Sequence, residues 1–143
     1  MAITQAMATS FKVQLLNGTQ NFSANTFKLA LYTSSATLNE NTTAYTTSNE
    51  VASTGNYSAG GNTLAVSVTP TNSGNVAYIS FTNTSWANAT ITAAGALIYN
   101  NTNANAAVAV LSFGGDKTST NGTFAVNFPT ADASSAIIRL TAS

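Results

Sequence analysis

Apolar residues in this chain fall into short alternating runs set between long stretches of Thr, Ser and Asn. Phe27, Leu29 and Leu31 alternate with Lys28, Ala30 and Tyr32, which is the period of a β-strand. Leu64, Val66 and Val68 repeat the pattern and are expected to stop at Pro70. Asn72, Ser73 and Gly74 read as a turn. Val76 to Thr82 reads as the next strand, with Ala77, Ile79 and Phe81 on one face. The runs Ala94–Tyr99 and Ala106–Phe113 are denser, and the turn NNTNAN joins them. Dense runs of this kind predict strands covered on both faces. Phe124, Val126 and Phe128 alternate up to Pro129. Ala136 to Thr141 predicts a last strand, after which Ala142 and Ser143 are expected to fray.

The N-terminus has a different period. Ile3, Met7, Phe11 and Leu15 recur every four residues, the stripe of an amphipathic helix. The spacing predicts a helix over about Gln5 to Asn17, with Thr4 as N-cap and Gly18 at the C′ position. The stripe serves either a neighbouring subunit or, more simply, an open end of the domain's own core.

Two polar segments interrupt the strands. Ser34 to Gly61 is longer than an ordinary connection, so it is expected to be functional or to hold a short strand such as Glu50 to Ser53. Tyr45 and Tyr57 are its aromatic anchors, and Gly60 and Gly61 mark a turn or a close backbone approach. Gly114 to Gly122, GGDKTSTNG, reads as a loop. About eight short strands separated by turn signals predict an all-β chain. We expect a single β-sandwich domain over residues 1–143, jelly-roll or immunoglobulin-like, with one N-terminal α-helix.

Composition narrows the chemistry. Only 6% of the 143 residues are charged, and the formal net charge is +0. An ordinary soluble domain carries about 25%. The bases are Lys12, Lys28, Lys117 and Arg139, and the acids are Glu40, Glu50, Asp116 and Asp132. So few bases argue against nucleic acid and anionic membrane as partners. Near-zero charge offers little resistance to self-association. Neither Cys nor His occurs. The commonest general base, thiolate chemistry and the commonest metal ligands are therefore missing. MAITQAMATSFK lacks the basic and apolar regions of a signal peptide, so assembly in the cytoplasm is expected.

The remaining candidates are weighed against plainer roles. A glycosidase needs two carboxyls roughly 5–9.5 Å apart, and nothing in the spacing of the four acids requires that. We expect no enzyme and no cofactor. Asp116, Thr118 and Asn121 offer calcium a single carboxylate, whereas calcium favours several charged oxygens. The sequons at Asn17, Asn41, Asn83, Asn88 and Asn121 follow from the Asn and Thr content and are read as unmodified. Trp86, with Tyr45 and Tyr57, is a possible sugar platform, but a core-edge or interface role is the simpler one. Trp86, Tyr45, Tyr57 and Phe11 are the residues expected to make ligand or interface contacts.

The set AITQAM-x-TSFK, TFKLALYTSSATL, TTAYTTSNEV-x-x-TG-x-Y-x-AGGNTL, GALIYN, AVAVL-x-FG-x-DKTSTNG and FP-x-ADAS-x-AIIR resembles small virion proteins of tailed phages. The resemblance covers nearly the whole chain, and it is the set that is specific. Position 8 is Ala8, where this group carries Cys, which bears on the packing of the helix. The resemblance implies a structural part of a virus particle with no catalytic residues. Within that class the expectation is a capsid decoration (cement) protein on the outer capsid surface, partnered by the major capsid protein and by its own copies, as a trimer. The dense runs Ala96–Tyr99 and Ala106–Leu111 are expected to supply its apolar contacts. A tail-associated or host-glycan-binding module is the alternative.

Overall fold

The computed structural model describes residues 2–141. The fraying expected at Ala142 and Ser143 lies outside them. In chain order the elements are β1 (Ala6–Met7), α1 (Thr9–Leu16), β2 (Phe27–Tyr32), β3 (Asn62–Leu64), β4 (Val66–Ser73), β5 (Val76–Phe81), β6 (Thr84–Asn100), β7 (Ala106–Val126) and β8 (Ile138–Leu140). The chain is mostly β, with two antiparallel sheets in a sandwich-like arrangement. One sheet has the order β1-β7-β6-β2-β3 and the other β4-β5-β8.

The helix is shorter than its stripe predicts. Ala6 and Met7 pair with Val110 and Ala109 of β7, and Ile3 bridges to Leu38. A spacing of four is an even number, so it aligns side chains on one face of a strand as well as of a helix. Of the stripe, Met7 goes to the edge of β7 and Ile3 to Leu38, and α1 keeps Phe11 and Leu15. The N-cap is Ala8, which makes no side-chain cap, rather than Thr4. Ala8 is fully buried, and its N–H donates to Val108 O at 2.9 Å. The C-terminus is as expected, with Asn17 as C-cap and Gly18 at φ 80°.

Pro70 does not end its strand, because β4 runs through it. It sits at a register shift between Val68 and Thr71 on an edge strand, where a missing N–H costs no ladder bond. The chain changes sheet at Ala65 instead, passing from β3 to β4.

β6 and β7 form the long hairpin that dominates the molecule, 17 and 21 residues against the short runs expected. Gly114 to Gly122 is thus not a loop. Lys117, Thr118 and Ser119 pair with Ala93, Thr92 and Ile91, and Gly122 pairs with Ala89. The ladder breaks register twice in this stretch: residues 113–116 bulge out between Ser112 and Lys117, with Gly114 at φ 77° and Gly115 at φ 142°, and a second shift lies between Ser119 and Gly122, with Asn121 at φ 46°. Polar side chains suit these positions because one face of this arm meets solvent: Thr118 and Thr120 are exposed while Ser119 is buried.

The dense runs are covered on both faces, but by this chain itself. On one side Phe27 stacks on Phe22 at 4.6 Å, and both meet Phe81 of the smaller sheet at 5.9 and 6.1 Å. Phe11 of α1 joins them edge-on at 5.9 Å from Phe22. On the other side the segment between β2 and β3 crosses from one edge of the larger sheet to the other. Its Val51 N–H donates to Leu31 O, and at the far edge Ala107 N–H donates to Thr43 O, each at 2.9 Å. It holds no strand at Glu50–Ser53, only an isolated bridge from Glu50 to Tyr32. Ala96 to Tyr99 and Ala106 to Leu111 therefore lie in the core and are not the surplus apolar surface expected of them.

Candidate functional site

The crossing segment is fastened by one carboxylate. Tyr45 Oη donates to Glu50 Oε2 at 2.6 Å. Tyr57 Oη donates to Glu50 Oε1 at 2.7 Å, and Gly60 N–H donates to the same oxygen at 2.6 Å. Three convergent donors fit the acceptor-only ionised carboxylate. Tyr57 Oη also accepts the N–H of Leu31 at 2.9 Å, which ties the cluster to β2. Tyr99 Oη donates to Gly60 O at 2.7 Å, and Tyr32 Oη donates to Thr46 O at 2.6 Å. The rings of Tyr45 and Tyr99 stack at 4.6 Å.

Local chain chemistry explains why Glu50 can be reached. Gly60 and Gly61 turn the backbone at φ 96° and 74°. A Cβ on Gly61 would lie 1.7 Å from Leu29 O, so only glycine lets this turn press against β2. Burial raises the phenol pKa of Tyr32, Tyr45 and Tyr57, and the nearby Glu50 charge adds to the shift. The same causes push Tyr99 up to about 12. These hydroxyls are donors held protonated.

The residues expected to contact ligands are placed as follows. Phe11, Tyr57 and Trp86 are 0%, 1% and 2% exposed. Trp86 packs on Tyr57 at 5.4 Å and Phe124 at 6.4 Å, with both rings tilted rather than coplanar with it. The structure thus gives these residues the core role, and a surface sugar platform built on Trp86 is not formed. Tyr45 alone of the four is part-exposed. The acids are not brought together. Glu40 is exposed in a loop, Glu50 serves the tyrosines, Asp116 is in the β7 bulge, and Asp132 caps a turn by accepting from Ser134 and Ser135 N–H. Asp116 lies in the β7 bulge, Thr118 pairs with Thr92 and Asn121 lies at a second register shift at φ 46°, so an ion there would still meet a single carboxylate. Among the described residues no group of three or more acidic or thiol side chains gathers.

A second feature lies on the opposite side of the larger sheet. An open groove of about 340 Å³ runs between the end of α1 and the smaller sheet, lined by Leu15, Phe22, Ile79, Ile138 and Leu140. Leu140 in its lining is 51% exposed, and on α1 Leu16 is 92% and Val13 57% exposed. Sequence reasoning found Tyr45 and Tyr57 but missed Glu50 as their shared acceptor. It also missed the exposed apolar side chains of α1, although Leu16 falling off the helical stripe was a signal for them.

No known protein family, no curated protein and no solved structure matches this chain.

Proposed function

We propose that this chain is a structural protein of a virus particle, a capsid decoration (cement) protein of a tailed phage. The single observation that carries the assembly reading is the set of large apolar side chains left in solvent, Leu16 and Val13 on α1 and Leu140 in the lining of an apolar groove. Exposed apolar patches mark association surfaces, and the four bases and four acids supply little charge for or against association. The polar chemistry of the interior is turned to internal use, since Glu50 and its tyrosines satisfy one another. The phage assignment itself rests on the motif set quoted above. The finer fold reading, a jelly-roll or immunoglobulin-like sandwich, rests on the two sheets sharing one core through Phe27 and Phe81.

In this reading the copies form a closed trimer, each using the same contacts, and the trimer docks on the major capsid protein. Few ion pairs can contribute, so attachment survives high salt. Light scattering on the purified protein, a salt wash of intact particles and a particle map test it. A trimer that falls apart on Leu16→Ser supports the reading. A micromolar monomer, together with particles that shed the protein in salt alone, overturns it. The alternative, a tail-associated or host-glycan-binding module, loses support from the burial of Trp86 and Tyr57.

A further inference from the structure

Trp86, Tyr57, Glu50 and Tyr45 form a continuous line from the core to the surface. Trp86 and Tyr57 are 2% and 1% exposed, with ring centroids 5.4 Å apart. Tyr57 and Tyr45 each donate their phenolic proton to a different oxygen of one carboxylate, at 2.7 and 2.6 Å. Tyr45 is the part-exposed end. A phenol surrenders an electron readily only when its proton has a base to go to. Of the four clustered tyrosines, Tyr57 and Tyr45 have that base. Tyr99 and Tyr32 donate to the carbonyls of Gly60 and Thr46, which take no proton.

We propose that these four residues are a redox relay that moves one-electron oxidation from Trp86 out to Tyr45. The oxidant is a one-electron acceptor, such as a photoexcited dye or an oxygen-centred radical, and it removes an electron from the Trp86 indole. Tyr57 returns an electron to the indole radical cation while its phenolic proton moves to Glu50 Oε1. The products are neutral Trp86, a Tyr57 phenoxyl radical and a protonated Glu50. In the second step Tyr45 passes an electron to Tyr57 and its own proton to Glu50 Oε2, while the proton on Oε1 returns to Tyr57. Charge and protons balance: Tyr57 is restored, Glu50 stays singly protonated, and the radical sits on Tyr45. There a hydrogen-atom donor of the thiol or ascorbate class reduces it, and Glu50 releases its proton to solvent. The relay spares the core indole and delivers the damage to a site that solution reductants can reach.

The test uses the full chain, illuminated with a ruthenium-type photosensitiser and persulfate. Peptide mass spectrometry reads oxygenation of Trp86, and electron paramagnetic resonance reads the radical. In the parent, Trp86 stays largely intact and the radical is a tyrosyl that disappears from Tyr45 in Tyr45→Phe, a conservative change at the part-exposed end. Tyr57→Phe and Glu50→Gln each raise Trp86 oxygenation severalfold, whereas Tyr99→Phe, in the same cluster but bonded to a carbonyl, leaves it at the parental yield. Near-ultraviolet circular dichroism confirms that each variant compared is folded. Equal Trp86 oxygenation in parent and Tyr57→Phe overturns the relay. So does a rise in Tyr99→Phe matching that in Tyr57→Phe, or a parental radical unaffected by Tyr45→Phe.

Discussion

Adjacent glycines at positions 60 and 61 should respond very differently to alanine. Both have positive φ, 96° and 74°, and a Cβ in the left-handed region costs about 1–2 kcal/mol. At Gly60 that is nearly the whole cost, because the nearest atoms to a new Cβ are Lys28 Nζ and Tyr99 Oη, each at 3.4 Å. At Gly61 the new Cβ would lie 1.7 Å from Leu29 O, 2.6 Å from Leu29 C and 2.8 Å from Ala30 Cα. All three are backbone of β2 and cannot swing aside like a side-chain tip. The strand or the turn must move, disturbing the pairing of Leu29 with Asn62 and the Gly60 N–H bond to Glu50. Overpacking of this kind adds about 1–3 kcal/mol. Gly61→Ala should therefore lose about 2–5 kcal/mol in all, which in a domain of this size lowers Tm by roughly 5–15 °C. Gly60→Ala should lose only the backbone cost of about 1–2 kcal/mol, less than half of the Gly61→Ala loss at the upper end. Urea and thermal denaturation of the two variants beside the parent measure the difference. Equal melting of Gly60→Ala and Gly61→Ala would refute the close approach to β2 as the cause.

Phe11→Ala removes a fully buried ring from the aromatic cluster and should cost about 3–5 kcal/mol by chemical denaturation; an unchanged midpoint would mean that α1 is not part of the core. Glu50→Ala leaves Tyr57 Oη and Gly60 N–H without their acceptor at about 1–3 kcal/mol for each buried donor, and limited proteolysis should then cut within residues 34–61 before it cuts elsewhere. Stability should decline in alkali. The folded tyrosines hold their protons above the ordinary value near 10, Tyr99 up to about 12, so their contribution is complete below about pH 10 and is lost as pH rises through the folded values. Urea midpoints between pH 8 and 11 check this, and a flat profile above pH 10 contradicts it. Leu16→Ser should leave the monomer's stability within about 0.5 kcal/mol of the parent, while light scattering reports any loss of self-association.

Local sequence determined those features whose physics is local. The alternation of Phe27 to Tyr32 and of Val76 to Phe81 made strands where expected. The apolar density of Ala94–Tyr99 and Ala106–Phe113 marked strands covered on both faces, and Gly18 and Gly60–Gly61 placed a helix end and a turn. Scarcity of charge was legible at once and bounded the chemistry. Tertiary structure decided everything that turned on a distant partner. Ile3 and Met7 satisfy a helical and a strand period equally, and a bridge to Leu38 and pairing with the edge of β7 made them extended. The polar run Gly114–Gly122 carries loop residues, but pairing with β6 made it part of a strand, broken by register shifts at residues 113–116 and 120–121. What covers the dense runs was equally invisible, because the cover is a segment with no periodicity of its own. Glu50 reads as one of four scattered acids, and only the fold brings Tyr45, Tyr57 and Gly60 to its two oxygens. Trp86 stands alone in a polar stretch, where a core-edge or interface role is the simpler reading, but which rings cover it, Tyr57 and Phe124 across 29 and 38 residues of chain, only the fold shows. Periodicity records which face of an element is apolar, whereas the identity of what meets that face is a property of the whole chain closing on itself.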